Sequence, residues 1–321
     1  MTAVLWVAAV VVGLTVTVLG SREAVSDATE LARGTRLPPF FVGMTLLALG
    51  TDFPEIANSV VASATDNGDV NVGDSVGSAA TQMTLILGLL PFVGRAIPLG
   101  APGSRQLRGQ QMTAWLTAAS LAVVGLLVLN DHIGRLDAVI LITIWVVGSR
   151  VVYGNMRTDP QLVFEKPAAN RGALAGRFVI ALAAIGLGAT LTVTAITELA
   201  ELWGVPAFII AFFGASIGTS LPELIVATTA LRRGETQLAI GDVLGSSFAD
   251  ATLSISMGPL LFPTVIDGSL AVTGALVATT GAVIVALLLG RGGVFGRRGG
   301  AILLIVYLAS WPILLLSLIH I

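Results

Sequence analysis

The chain has 321 residues, 55% of them apolar and only 11% charged, with a mean hydropathy of +0.92. A soluble globular protein carries about a quarter charged residues, so this composition excludes a soluble enzyme and a disordered chain alike. Absence of cysteine removes thiolate chemistry, two histidines (His132 and His320) are too few for a zinc or copper centre, and a net charge of −2 offers nucleic acid no basic surface.

A bilayer core of about 30 Å needs roughly 20 apolar residues per helix. Ten such stretches follow one another at 2–21, 37–65, 71–94, 110–130, 134–153, 173–200, 204–231, 237–262, 268–290 and 299–319. The first has no Lys or Arg ahead of its apolar run, so it reads as a retained span rather than a signal peptide. The second, third, seventh and eighth are interrupted by Gly, Pro and polar residues and are expected to be broken helices. The longest hydrophilic stretch reads as a linker at 153–172, between five-helix halves at 1–152 and 173–321. The expected fold class is an all-α membrane protein of ten transmembrane helices.

Basic residues resist translocation. With the N-terminus outside, 16 of the 17 Lys and Arg residues fall on the cytoplasmic side and only Arg135 falls outside. One missed helix would scramble that pattern, so the split supports both the span count and an N-out, C-out orientation in the cell membrane.

Sliding the chain by 168 residues superposes two segments without a gap. Thr29-Glu30-Leu31-Ala32 falls on Thr197-Glu198-Leu199-Ala200, and Pro38 and Phe40 fall on Pro206 and Phe208. Gly50-Thr51 and Pro54-Glu55 meet Gly218-Thr219 and Pro222-Glu223. Gly73-Asp74 and Gly77-Ser78 meet Gly241-Asp242 and Gly245-Ser246. Each half has an odd number of spans, so the second copy enters the membrane from the opposite side. Such inverted repeats belong to secondary transporters, which bind substrate near the midplane on discontinuous helices.

The repeated segments, 43–88 and 211–258, carry the chemistry. Pro54 has no N–H, so the Gly50 carbonyl is expected to lose its helical partner, and Pro222 acts likewise on Gly218. Glu55 stands four residues after Thr51 and Glu223 four after Thr219, so hydroxyl and carboxylate should share a helix face. Ser78 pairs in the same way with Gln82, and Ser246 with Asp250. Glu55, Glu223, Asp250 and Gln82 are therefore expected to converge on one cavity, with Thr51, Thr219, Ser220, Ser78 and Ser246 around them. These are hard oxygen ligands, which suit Ca²⁺ better than Mg²⁺, Zn²⁺ or Cu²⁺. Several carboxylates in one membrane cavity repel one another, so the cavity should be held by cations or protons, an arrangement suited to exchange.

The doubled Gly-Thr-x-x-Pro-Glu motif (50–55 and 218–223), each copy followed at equal spacing by Gly-Asp-x-x-Gly-Ser (73–78 and 241–246), resembles the cation/Ca²⁺ exchanger superfamily, its prokaryotic Na⁺/Ca²⁺ exchangers most of all. The resemblance extends over essentially the whole chain. It implies exchange of Ca²⁺ for Na⁺ without ATP or a cofactor, with Glu55 and Glu223 shared between Ca²⁺ and Na⁺ sites and the first and sixth helices sliding over the other eight. Asp52 departs from the family pattern by standing where Ser is usual, and Gln82 by standing where Asn or Asp is usual. Asp52 can add a fourth carboxylate to the cage, or replace a Na⁺-selective hydroxyl by a proton carrier, which makes Ca²⁺/H⁺ exchange the alternative.

Blander readings apply to other polar residues. Asp74 and Asp242 follow glycine at what look like helix starts and read as caps. Glu30 and Glu198 read as solvated or paired with arginine, and Asp66 and Asp69 as a turn. A channel and a membrane-embedded hydrolase are the competing classes. Inverted halves with buried glutamates from both argue against the first, and the lack of a histidine or metal constellation against the second. The expected partners are the transported ions and the lipid bilayer, and a monomer suffices.

Overall fold

The computed structural model describes residues 3–31, 39–93, 96–156, 171–232 and 234–317. Most of the expected linker (157–170), together with Arg33, Arg36, Arg95, Arg233 and His320, lies outside these residues. Nine helices among the described residues are long and apolar enough to cross a membrane, and a bent pair makes a tenth span. In chain order the helices are α1 (Ala3–Leu31), α2 (Phe40–Thr51), α3 (Phe53–Ala64), α4 (Gly68–Val93), α5 (Arg105–Leu127), α6 (Arg135–Met156), α7 (Arg171–Trp203), α8 (Ala207–Arg232), α9 (Thr236–Leu261), α10 (Gly268–Gly290) and α11 (Arg297–Ser317). The chain is therefore a multi-pass, predominantly helical membrane protein.

α2 and α3 meet at 45° across Asp52. α8 is interrupted in the equivalent place, at Ser220. α4 and α9 run without such a break, and their irregularity takes the form of widened π-helical turns at Thr81–Ile86 and Asp250–Ser254. Two more π turns, Gly43–Leu47 and Ala211–Ala215, lie 168 residues apart ahead of the breaks. A π turn loosens the backbone ladder, and such turns gather at functional sites. Here hydroxyls back-bond to the loosened carbonyls: Thr45 to Phe41 at 2.7 Å, with Thr84 to Ala80 and Ser216 to Phe212 in the same manner. That satisfies polar groups which lipid would leave unpaired.

α4 and α9 are the most buried helices and form the centre of the molecule. Glycine lets them lie against the other half. A Cβ on Gly77 would sit 2.3 Å from the Phe212 carbonyl oxygen, and one on Gly245 would sit 2.4 Å from that of Met44. α1 and α7 pair antiparallel along their length, and a Cβ on Gly188 would lie 2.7 Å from the Gly13 carbonyl. Small residues of this kind replace the hydrophobic driving force that lipid removes. This pair lies over both interruptions: Leu14 packs on Gly218, and Phe178 meets Phe53 edge-on at 5.7 Å. α6 and α11 turn Leu136, Val139, Val147, Ile305 and Leu308 outward, an apolar exterior that suits lipid.

Two short antiparallel ladders tie loops of the two halves together. Ile97–Pro98 (β1) pairs with Val294–Phe295 (β4), and His132–Ile133 (β2) pairs with Thr264–Val265 (β3). On the side of β2 and β3, the Asp69 carboxylate accepts from the Asp267 amide at 2.6 Å, and the Thr197 hydroxyl donates to Asn67 at 3.2 Å. Asp66 sits in the expected turn and accepts from the Thr264 hydroxyl, whereas Asp69 lies in the first turn of α4, so both stitch loops together. Glu198 is half-buried on α7.

Candidate functional site

The two helix interruptions decide the site. Asp52 and Ser220 share one backbone conformation, with φ/ψ of −78°/1° and −82°/7°. The chain turns out of the helix for one residue and a new helix begins. Pro54 therefore falls in the first turn of α3, where a missing N–H does no damage. This revises the expectation of an orphaned Gly50 carbonyl: Gly50 is not without a partner. Each interruption also creates two helix ends. The carbonyl-rich end before it carries negative partial charge, and the amide end after it stabilises the carboxylate of Glu55 or Glu223 in its first turn.

All ten residues singled out in the sequence (Thr51, Asp52, Glu55, Ser78, Gln82, Thr219, Ser220, Glu223, Ser246 and Asp250) are at most 1% exposed. One carboxylate oxygen from each of Asp52, Glu55 and Glu223 lies within 4.8 Å of the others. Asp250 stands outside that triangle but within electrostatic reach of all three. The Gln82 amide reaches the Ser220 hydroxyl at 3.5 Å.

The hydroxyls do not pair as the i, i+4 spacing suggested. Thr51 meets Ser246 at 3.3 Å, and Thr219 meets Ser78 at 3.2 Å. Both pairs join a threonine at one interruption to a serine on the central helix of the other half. Thr51 closes the helix before the interruption and Glu55 lies in the first turn of the helix after it.

Asp74 and Asp242 correct the sequence reading. Neither caps a helix: α4 starts at Gly68 and α9 at Thr236, so both aspartates sit in helix interiors, and both are buried. Asp74 accepts from the Asn58 amide at 2.8 Å and the Thr219 hydroxyl at 3.2 Å. Asn58 was not singled out in the sequence. Its signal was an amide in an apolar helix, three residues after Glu55.

Both carboxylate oxygens of Asp52, Glu55, Glu223, Asp242 and Asp250 are buried without a hydrogen-bond partner. No Arg, Lys or His is buried among the described residues. At an effective dielectric of about 20, two unit charges roughly 5 Å apart repel by roughly 3.5 kcal/mol. Three full charges at such spacing would oppose folding by about 10 kcal/mol, comparable with a domain's whole stability. The donor set, hard oxygens with unsatisfied lone pairs, fits a hard cation in a flexible cage.

Comparison with known proteins gives the family and the fold. The family described as sodium/calcium exchanger protein matches residues 5–153 and 173–316, leaving out the stretch read as a linker. The inner membrane protein YrbG of Escherichia coli is 29% identical over 81% of each chain. The sodium/calcium exchanger MaX1 of Methanosarcina acetivorans is 24% identical over 94% of this chain and 96% of its own. The solved structure of the sodium-calcium exchanger NCX_Mj superposes over 97% of this chain and 99% of its own, with a TM-score of 0.67 and 23% identity, and so shares its fold. The matched residues include both interruptions and all the buried carboxylates around them, and the chain belongs to the sodium/calcium exchanger protein family.

Proposed function

We propose that this protein is a secondary antiporter that exchanges Ca²⁺ for Na⁺, using the cage around Asp52, Glu55 and Glu223 by alternating access. The observation that carries the reading is the triangle of buried, unpartnered carboxylates drawn from two helix interruptions. Such a cavity is stable when a cation occupies it. Ca²⁺ leaves when Na⁺ replaces it, so transport is coupled and leak is suppressed. Asp250, Gln82, Thr51, Thr219, Ser220, Ser78 and Ser246 complete the site as oxygen ligands or as groups that orient them. No cofactor or ATP is required.

Inverted repeats are supported by contacts that map onto each other. Adding 168 to Thr51 and subtracting it from Ser246 gives Thr219 and Ser78, which is the other observed pair. The close approaches of Gly77 to Phe212 and of Gly245 to Met44 exchange in the same way. The ladders support the alternation of spans: β1 and β4 join two loops expected on one side of the membrane, and β2 and β3 two expected on the other. Alternating access then has a physical element. α1 and α7 pack on each other through glycines and lie over both interruptions, so their joint movement uncovers the cage from one side or the other.

Asp52 favours a second reading, Ca²⁺/H⁺ exchange, because it brings a carboxyl group where the equivalent position in the second half carries the Ser220 hydroxyl. Purified protein in liposomes separates the two. Uptake of ⁴⁵Ca²⁺ should follow an outward Na⁺ gradient at equal pH on both sides. Uptake driven by a pH gradient without Na⁺ would select the second reading, and uptake driven by neither would remove both.

A further inference from the structure

The same neighbours surround the Thr51 and Thr219 hydroxyls, with one exception. Thr51 lies 3.2 Å from the Leu47 carbonyl, 3.1 Å from that of Ala48 and 3.3 Å from the Ser246 hydroxyl. With the halves exchanged, these become Ala215, Ser216 and Ser78, which lie 3.2, 3.4 and 3.2 Å from the Thr219 hydroxyl. Thr219 has a fourth neighbour, the Asp74 carboxylate on α4 at 3.2 Å. Its counterpart Asp242 makes no such bond to Thr51: both its oxygens are buried and without a hydrogen-bond partner among the described residues. The difference goes back to α3. There the Asn58 amide donates to the other oxygen of Asp74 at 2.8 Å, whereas the counterpart of Asn58 is Val226, which has no donor.

A hydroxyl has one proton to give and two lone pairs. An ionised acceptor makes a hydrogen bond about twice as strong as a neutral one, so the Thr219 proton goes to Asp74 rather than to the Ala215 or Ser216 carbonyl. Ser78 can then donate to Thr219, and each bond in such a chain polarises the next. Both protons point along the chain, away from a cation, which needs oxygen lone pairs. Thr51 is offered neutral acceptors, so nothing directs its proton with the same force.

We propose that Asp74 is a positioning residue of the cation site. Anchored by Asn58, it takes the Thr219 proton and so leaves the lone pairs of Thr219 and Ser78 for the ion, a bias that the Thr51 and Ser246 pair lacks. The proposal rests on the exchanger reading of the cage. It makes two hydroxyl pairs of the same geometry unequal as ligands, because one half carries an asparagine where the other carries a valine.

Equilibrium dialysis of the purified full-length protein in detergent against ⁴⁵Ca²⁺, with and without competing Na⁺ at one fixed pH, reads the effect. Asp74→Asn should weaken cation binding by about tenfold, the margin between a charged and a neutral acceptor. In a Thr219→Val background, with no hydroxyl to orient, the same change should weaken it by about threefold or less. Asp242→Asn should have the same effect with and without Thr51→Val. Exchanging the pair, Asn58→Asp with Asp74→Asn, keeps both the charge and the bond between α3 and α4 but leaves Thr219 facing an amide, and it should lose as much as Asp74→Asn alone. Size-exclusion profiles recorded without Ca²⁺ establish that each variant is folded. Parent-like binding by the exchanged pair, or equal losses from Asp74→Asn with and without the Thr219 hydroxyl, would make Asp74 a helix link or a distant charge, overturning the proposal and leaving the exchanger reading standing. No saturable calcium on the parent overturns both.

Discussion

The Thr51 hydroxyl lies 3.3 Å from that of Ser246, a residue 195 positions away in the other half of the chain. Its counterpart, Ser78 to Thr219 at 3.2 Å, is the same contact with the halves exchanged. These two pairs fasten each helix interruption to the central helix of the opposite half. They bring Glu55 and Glu223 together, because neither glutamate could reach the other from within its own repeat.

Neutralising a cage carboxylate should stop transport and leave the fold intact. The attraction between one carboxylate and a divalent ion in a site of low dielectric exceeds the roughly 2.7 kcal/mol that a hundredfold represents, so Glu55→Gln and Glu223→Gln should each reduce ⁴⁵Ca²⁺ counterflow by at least a hundredfold. Neither should collapse the size-exclusion profile, since the amide keeps the shape and loses the repulsion. A Glu223→Gln variant that transports like the parent would remove Glu223 from the ion path.

Asp52 and Ser220 occupy equivalent positions with the same backbone angles, so Asp52→Ser makes the two interruptions alike. Na⁺-driven uptake should survive this change, with the apparent Ca²⁺ affinity weakened by about tenfold, equivalent to about 1.4 kcal/mol. Loss of Na⁺-driven uptake with Ca²⁺ binding intact would make Asp52 the carrier of the counter-ion.

Ligand removal should be visible as stability. A ligand that binds only the folded state stabilises it by about 2.7 kcal/mol at a hundred times its Kd. The melting temperature of the detergent-solubilised parent should therefore rise on adding Ca²⁺ and fall on adding chelator, while that of Glu223→Gln should respond to neither. Equal responses in parent and variant would mean that calcium acts elsewhere.

Close packing at the centre predicts a contrast between glycines. Gly77→Ala and Gly245→Ala place a methyl group 2.3–2.4 Å from backbone atoms of Phe212 and Met44, so both should destabilise the protein strongly, by about 1–3 kcal/mol or more. Gly186→Ala on α7 meets nothing within 4 Å and should melt within a degree or so of the parent.

The absence of cysteine permits a direct test of sidedness. Val265 beside β2 and Val294 beside β1 are 64% and 63% exposed. An impermeant maleimide should label Val265→Cys on intact cells, and Val294→Cys only after permeabilisation. The reverse pattern would invert the orientation.

Much of this was readable from residue order. The spans were legible because apolar runs of bilayer length are a coarse signal that no packing detail disturbs, and the buried acids because charge in such a run is rare. Local geometry at the interruptions was not. The i, i+4 rule gave no sign that one helix ends at Thr51 and another starts at Phe53, with Asp52 between them. Asp74 and Asp242 looked like caps because a glycine followed by an acid before an apolar run is also how helices begin. Here the glycines serve close approach: a Cβ at Gly73 would lie 2.7 Å from the Phe208 carbonyl, and one at Gly241 2.4 Å from that of Phe40. Sequence spacing along one half does not record which backbone of the other half lies opposite.

The most direct measurement is anomalous diffraction from crystals of this protein equilibrated with Ca²⁺ and then with excess Na⁺. The account predicts a calcium peak between the carboxylates of Glu55 and Glu223 that disappears in Na⁺ while both side chains stay in place. A peak that Na⁺ leaves untouched, or calcium bound only away from these two glutamates, would contradict it.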